Sequence, residues 1–207
     1  MANQITHIVL SERVADELFP RFNRKDFLIG TVFPDIRYLG VIPREKTHFV
    51  GLSLADVLAE TNSFMAGMKY HSLVDTVREA YVVRNDIYNK IPASKFNTQA
   101  LKTFEDEILY EKVSGWDKAA GYFNSVLPEE REFGIKEENL KKWHKILQDY
   151  FVPPLSDRSL RLMISGIVSA EVADEMMGLI VEMRGNKSLR ELVEKMHEKW
   201  GELLLEQ

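Results

Sequence analysis

Apolar residues recur every three or four positions along most of the chain, which is the spacing of one face of an α-helix. No run alternates apolar with polar residues for a useful length, and no Asn-Gly or Asp-Gly pair marks a hairpin. The 7 prolines and 11 glycines fall between the helical patterns. An all-α, multi-helix fold is therefore expected. Helices are expected over 6–19, 52–60, 63–85, 98–113, 116–125, 136–151, 156–184 and 188–205. Ser156 or Asp157 is the expected cap of the helix over 156–184. Between them, 21–47 carries Gly30, Pro34, Gly40 and Pro43 and reads as a loop-rich stretch holding at most a short helical turn. A connection of that length without regular structure is uncommon unless it is functional.

Pro153-Pro154 is the best candidate boundary in the 207 residues. The C-terminal helices, however, have broad apolar faces that need covering, so one α-helical domain over 1–207 is expected, with its site built mainly from 5–110. With 45% hydrophobic and 29% charged residues, the chain is neither disordered nor collagen-like. It has no cysteine, which removes disulfides, thiolate zinc sites, iron–sulfur clusters and cysteine nucleophiles. A net charge of −5 does not favour a long nucleic-acid partner. The apolar stretch 162–183 carries Glu171, Asp174, Glu175 and Glu182, too many acids for a bilayer, and is expected as a core helix. The N-terminus shows no basic segment before a long apolar run, so a cytoplasmic protein is expected.

Polar residues become informative once placed on the helices. On the helix over 63–85, Phe64, Met68, His71 and Asp75 share one stripe, so His71 and Asp75 face inward one turn apart. Such a pair binds one metal ion or closes a helical face with a hydrogen bond. His7 lies on the inward stripe of Leu10, Val14 and Leu18, as a ligand or as a core-edge histidine. Asp35 follows Pro34, where an acid serves as a ligand, a turn residue or a cap. His48 stands at a helix entry, as a ligand or a solvated loop residue. Glu105 falls inside the stripe of Leu101, Phe104 and Ile108, while Asp106 and Glu107 point away from it. A buried carboxylate needs a cation, either a metal or an Arg or Lys. His144 and His197 lie beside lysines at stripe borders and are expected in solvent. Together, His7, Asp35, His48, His71 and Asp75, with Glu105 as a further candidate, are residue types that suit a zinc site.

The runs THIVLSERVADEL, DFLIGTVFPDI, THF and FMAGMKYHSLVD resemble, in that order, the zinc-dependent phospholipase C family, whose superfamily includes the single-strand zinc nucleases. The resemblance covers about 5–80 and thins to the helical pattern around Glu105. It implies an all-α fold in which zinc activates water against a phosphodiester. It further implies that Asp75 bridges two metals, that Asp35, His48 and His71 complete one site, and that His7 joins Asp75 in a second. In this reading Asp35 and Asp75 are the catalytic carboxylates. Other members also bind metal through an N-terminal Trp. No Trp stands near the start here, although loss of Met1 would leave Ala2 five residues before His7. Further histidines that follow the His-x3-Asp helix in that family are missing, so one zinc is expected, and a second with help from Glu105 or Glu79. Iron and manganese suit the same ligands.

A metal-dependent hydrolase acting on a lipid headgroup ester or small phosphodiester is the leading expectation. A phosphohydrolase built on an adjacent His-Asp pair is disfavoured, because no His is followed directly by Asp. The remaining alternative is a helical metal-binding or interaction protein that has lost catalysis.

Overall fold

A computed structural model describes residues 2–151 and 169–206. Pro153-Pro154 and the expected caps Ser156 and Asp157 lie outside the described residues. Every regular element among the described residues is helical, and there is no strand. The α-helices are α1 (Gln4–Leu18), α2 (Arg24–Val32), α3 (Leu54–Leu58), α4 (Ser63–Arg84), α5 (Asn97–Leu109), α6 (Trp116–Tyr122), α7 (Pro128–Arg131), α8 (Glu137–Phe151), α9 (Ala170–Arg184), α10 (Lys187–Glu198) and α11 (Trp200–Leu205). Short 3₁₀ turns fill several connections, including Phe33–Leu39 and Arg44–Lys46. Among the described residues no helix is long and apolar enough to cross a membrane.

The stretch over 21–47 departs from expectation. It holds a helix of 9 residues, α2, capped by the Asn23 side chain on the Asp26 N–H. Gly30, which suggested a loop, sits inside that helix against α4. A Cβ at Gly30 would lie 2.0 Å from the Phe64 carbonyl oxygen, and one at Gly67 would lie 2.1 Å from that of Phe27. The two glycines let the backbones of α2 and α4 touch, and this is the most extensive helix pair among the described residues.

α1 also begins in an unexpected way. Its N-cap Asn3 makes no side-chain cap. Instead Asp106 of α5 accepts from the Thr6 N–H at 2.7 Å and the Thr6 hydroxyl at 2.6 Å, with Tyr150 donating to its other oxygen at 2.8 Å. Asp106 is thus buried rather than turned outward. α5 is covered by α1, α9 and α10 together, so its nominal outer positions are inside as well. Burial pushes the Asp106 carboxyl up to about 7.

His144 is a second correction. It is buried, with Nε2 at 2.7 Å from Glu130 Oε1 and Nδ1 at 3.1 Å from the Phe123 carbonyl. α7 supplies Glu130 and roofs the border of the α8 stripe. His197 is half-buried. The single helix expected over 188–205 breaks at Lys199 (φ −93, ψ 9) into α10 and α11. The break turns Trp200 into the core, where its Nε1 donates to the Tyr70 hydroxyl at 2.7 Å. That hydroxyl donates in turn to the Leu10 carbonyl at 3.1 Å, joining α11, α4 and α1.

Candidate metal centre

α4 carries His71 and Asp75 into the interior as its stripe requires, and three other segments meet them there. α1 brings His7 in its first turn. The 3₁₀ turn after α2 brings Asp35, and the residue after Thr47 brings His48. His7, His71 and Asp75 form one buried group, and Asp35, His48 and His71 another; within each, the ligand atoms lie within 4.8 Å of one another. These buried groups could hold a metal ion. Glu105 is not among them. Arg78 grips it with Nε at 3.0 Å from Oε2 and Nη2 at 2.8 Å from Oε1, so its cation is the arginine.

Hydrogen bonds fix the rings. The Thr31 carbonyl lies 2.8 Å from His71 Nδ1 and can only accept, so Nδ1 carries the proton and Nε2 presents a lone pair. This is the backbone support common to ligating histidines. Thr47 Oγ1 stands 3.0 Å from His48 Nδ1 and 3.3 Å from the carbonyls of both Pro34 and Arg44. With its hydroxyl proton directed to a carbonyl, it accepts from His48 Nδ1, and His48 Nε2 is also a lone pair. The two Nε2 atoms face each other at 3.2 Å. Two facing lone pairs repel, and a cation between them removes the repulsion. Two nitrogens bound to one tetrahedral zinc at about 2.0–2.1 Å would be about 3.3 Å apart, so the spacing fits.

Asp75 spans both groups. Its Oδ2 lies 3.6 Å from His71 Nε2 and 3.9 Å from His48 Nε2, while Oδ1 lies 3.5 Å from His7 Nε2. Oδ1 also accepts from the Ala2 N–H at 2.7 Å. His7 stacks on His71 at 4.0 Å between centroids, and neither of its ring nitrogens makes a hydrogen bond although both are buried. A buried ring left with the longer 3.5 Å contact to Asp75 is costly, and a bound cation would satisfy it. Gln4 Nε2 donates to Asp35 Oδ2 at 2.9 Å, a supporting contact that helical spacing alone did not reveal.

Electrostatics favour the ligating forms. Burial, with the charge of His71 second, pushes His7 down to about 4 and His48 down to about 3, so both rings stay neutral. Burial opposes ionisation of Asp75, but His71 and His7 outweigh it and hold the carboxyl below its usual range. Burial, followed by the charge of Asp75, pushes Asp35 up to about 6. Below about pH 6 a metal must therefore displace a proton from Asp35, and none from His7 or His48. The expected result is a metal affinity that is flat above neutrality and falls about tenfold per pH unit below about 6, one proton per ion. Competition with a chromophoric chelator between about pH 5 and pH 8 reads this directly. A slope of two or three protons with a midpoint near 6.5 would instead assign the titration to histidines.

A cleft of about 950 Å³ opens over the group. His48 and Asp75 line it, while His7, Asp35 and His71 are not among its lining residues. Arg44, Arg84 and Lys102 bring positive charge to its walls, and Val50 and Val83 line it as well. Comparison with family models, with curated proteins and with solved structures finds no match to this chain.

Proposed function

We propose that this protein is a metal-dependent phosphoester hydrolase of the zinc-dependent phospholipase C type, built on the helical fold of that superfamily. One observation carries the reading. Three ligand candidates lie outside the cleft lining and two lie on it, so an ion held by the group has protein behind it and the cleft in front. A catalytic metal site keeps such an open side, whereas a structural site is closed. The order of the residues, His7, Asp35, His48, then His71 and Asp75, adds to it.

When bound, zinc would acidify a water and neutralise charge on phosphoryl oxygens. Asp35, Asp75, His48 and His71 would hold one ion, and His7 with Asp75 would provide for a second. Gln4 orients Asp35 through Oδ2, and the Thr31 carbonyl orients His71. Asp75, the carboxylate on the cleft, stays ionised and would orient the attacking water by accepting its hydrogen bond. The cationic walls draw an anionic substrate. Val50, 89% exposed, and Val83, 63% exposed, give an amphiphilic phosphodiester such as a lipid headgroup ester a surface to rest its apolar part on.

A reading without catalysis is favoured by a different observation, the capture of Glu105 by Arg78, which leaves fewer ligands for a second ion. Hydrolysis decides between them. Zinc-loaded protein is expected to cleave a chromogenic phosphodiester or a phosphocholine ester, and His71→Ala to lose about a hundredfold or more of that rate. Full zinc occupancy with no turnover on any phosphoester would support the interaction protein.

A further inference from the structure

Lys102 on α5 is 1% exposed, and lysine is almost never this buried unless it is paired. Among the described residues no carboxylate oxygen lies within 4 Å of its ammonium nitrogen; its hydrogen bond goes to the neutral Gln99 Oε1 at 3.0 Å. The acids nearest in sequence are engaged elsewhere, Glu105 by Arg78 and Asp106 by Thr6 and Tyr150. An ammonium has three donors, so Lys102 keeps capacity in hand. It lines the cleft together with His48 and Asp75. The Arg78–Glu105 clasp explains its placement. Asp75 lies three residues before Arg78 on α4, and Lys102 three residues before Glu105 on α5. Clasping the two helices there brings both side chains to the cleft. Asp35 and Asp75 act on the Lys102 charge through space rather than by contact.

We propose that Lys102 is the anion clamp of the cleft, its ammonium pairing with a phosphoryl oxygen of the substrate across from the metal ligands. The proposal deepens the hydrolase reading by naming the residue that takes the phosphoryl group. A buried charge with spare donors gives short, strong contacts to such an oxygen. Arg44, also on the wall, carries charge to the mouth, but Lys102 alone of the cleft lysines and arginines is buried.

The test is calorimetric titration of inorganic phosphate into the full chain near pH 7, with and without one equivalent of zinc, for wild type, Lys102→Met and Lys102→Arg. Wild type is expected to bind phosphate, Lys102→Met to bind it at least tenfold more weakly, and Lys102→Arg to fall within about threefold of wild type. No phosphate binding by wild type, or equal binding by Lys102→Met, overturns the clamp. Zinc content of the same samples separates the two readings. Phosphate binding through Lys102 without zinc uptake would sink the hydrolase alone; zinc uptake with binding that ignores Lys102 would sink the clamp alone. Should Lys102→Met fail to fold, the ε-methylene resonance missing from Lys102→Arg identifies Lys102 in wild type. That resonance must move when phosphate is added, and an unmoved one overturns the proposal.

Discussion

Gly67→Ala is expected to lower stability by about 3 kcal/mol or more, about 10 °C in melting temperature for a chain of this size. The added Cβ would lie 2.1 Å from the Phe27 carbonyl oxygen and 2.8 Å from the Thr31 nitrogen. Both neighbours are backbone, so no side chain can swing aside. α2 and α4 must separate by an ångström or so, the order of the overlap. The separation has a functional consequence. His71 follows Gly67 by one turn, and the His71 Nδ1 contact to the Thr31 carbonyl spans the same gap. The variant should therefore lose metal affinity along with stability. Gly121→Ala is the control: its Cβ would meet only the Asn124 side chain at 3.9 Å. Thermal unfolding of the two variants checks the contrast, and equal melting temperatures would contradict the close-packing account.

Glu105→Gln is expected to cost about 3–5 kcal/mol and to leave metal content unchanged. Arg78 is 0% and Glu105 1% exposed, so neither can recover its hydration when the other is neutralised. Arg78 would keep Glu79, at 3.2 Å from its Nη1, but lose the opposing charge and one of its two contacts at position 105. Arg78→Met should cost as much, by leaving the carboxylate buried alone. The double variant Arg78→Met with Glu105→Leu should recover most of the loss, because apolar pairs replace buried ion pairs at little cost. Denaturant unfolding measures the stabilities, and metal analysis of the same samples measures the rest. A fall in metal content with Glu105→Gln at unchanged stability would return Glu105 to the ligand set.

Helical periodicity made most of this molecule legible. The inward stripe of α4 names His71 and Asp75, and the stripe of α1 names His7, because the 3.6-residue repeat fixes which side chains share a face. What periodicity does not encode is which helices meet. Gly30 read as a breaker because a glycine in a turn and a glycine at a helix contact look alike in sequence; only the partner, Gly67, distinguishes them. Asp106 lay off the stripe, yet α5 is surrounded, and its donors come from Thr6 and Tyr150, about a hundred and forty residues of chain apart. The burial of His144 is hidden from periodicity in the same way, since its partner Glu130 sits on a short separate helix. For Glu105 a buried charge demanded a cation without saying which. Arg78, one turn beyond Asp75 on the stripe that supplies the site, is the answer. Lys102 carried no signal, because a lysine is read as surface until its burial is seen.

Metal content by plasma mass spectrometry tests the central claim most directly. The full chain would be purified without chelator and without a histidine tag, reconstituted with zinc, and compared with His71→Ala. His71 belongs to both ligand groups, so its loss strikes each of them. The account predicts at least about one zinc per wild-type chain and a near-complete loss in the variant, with helical content retained. Wild-type protein without stoichiometric metal after reconstitution, or a variant that binds as much as wild type, would contradict it.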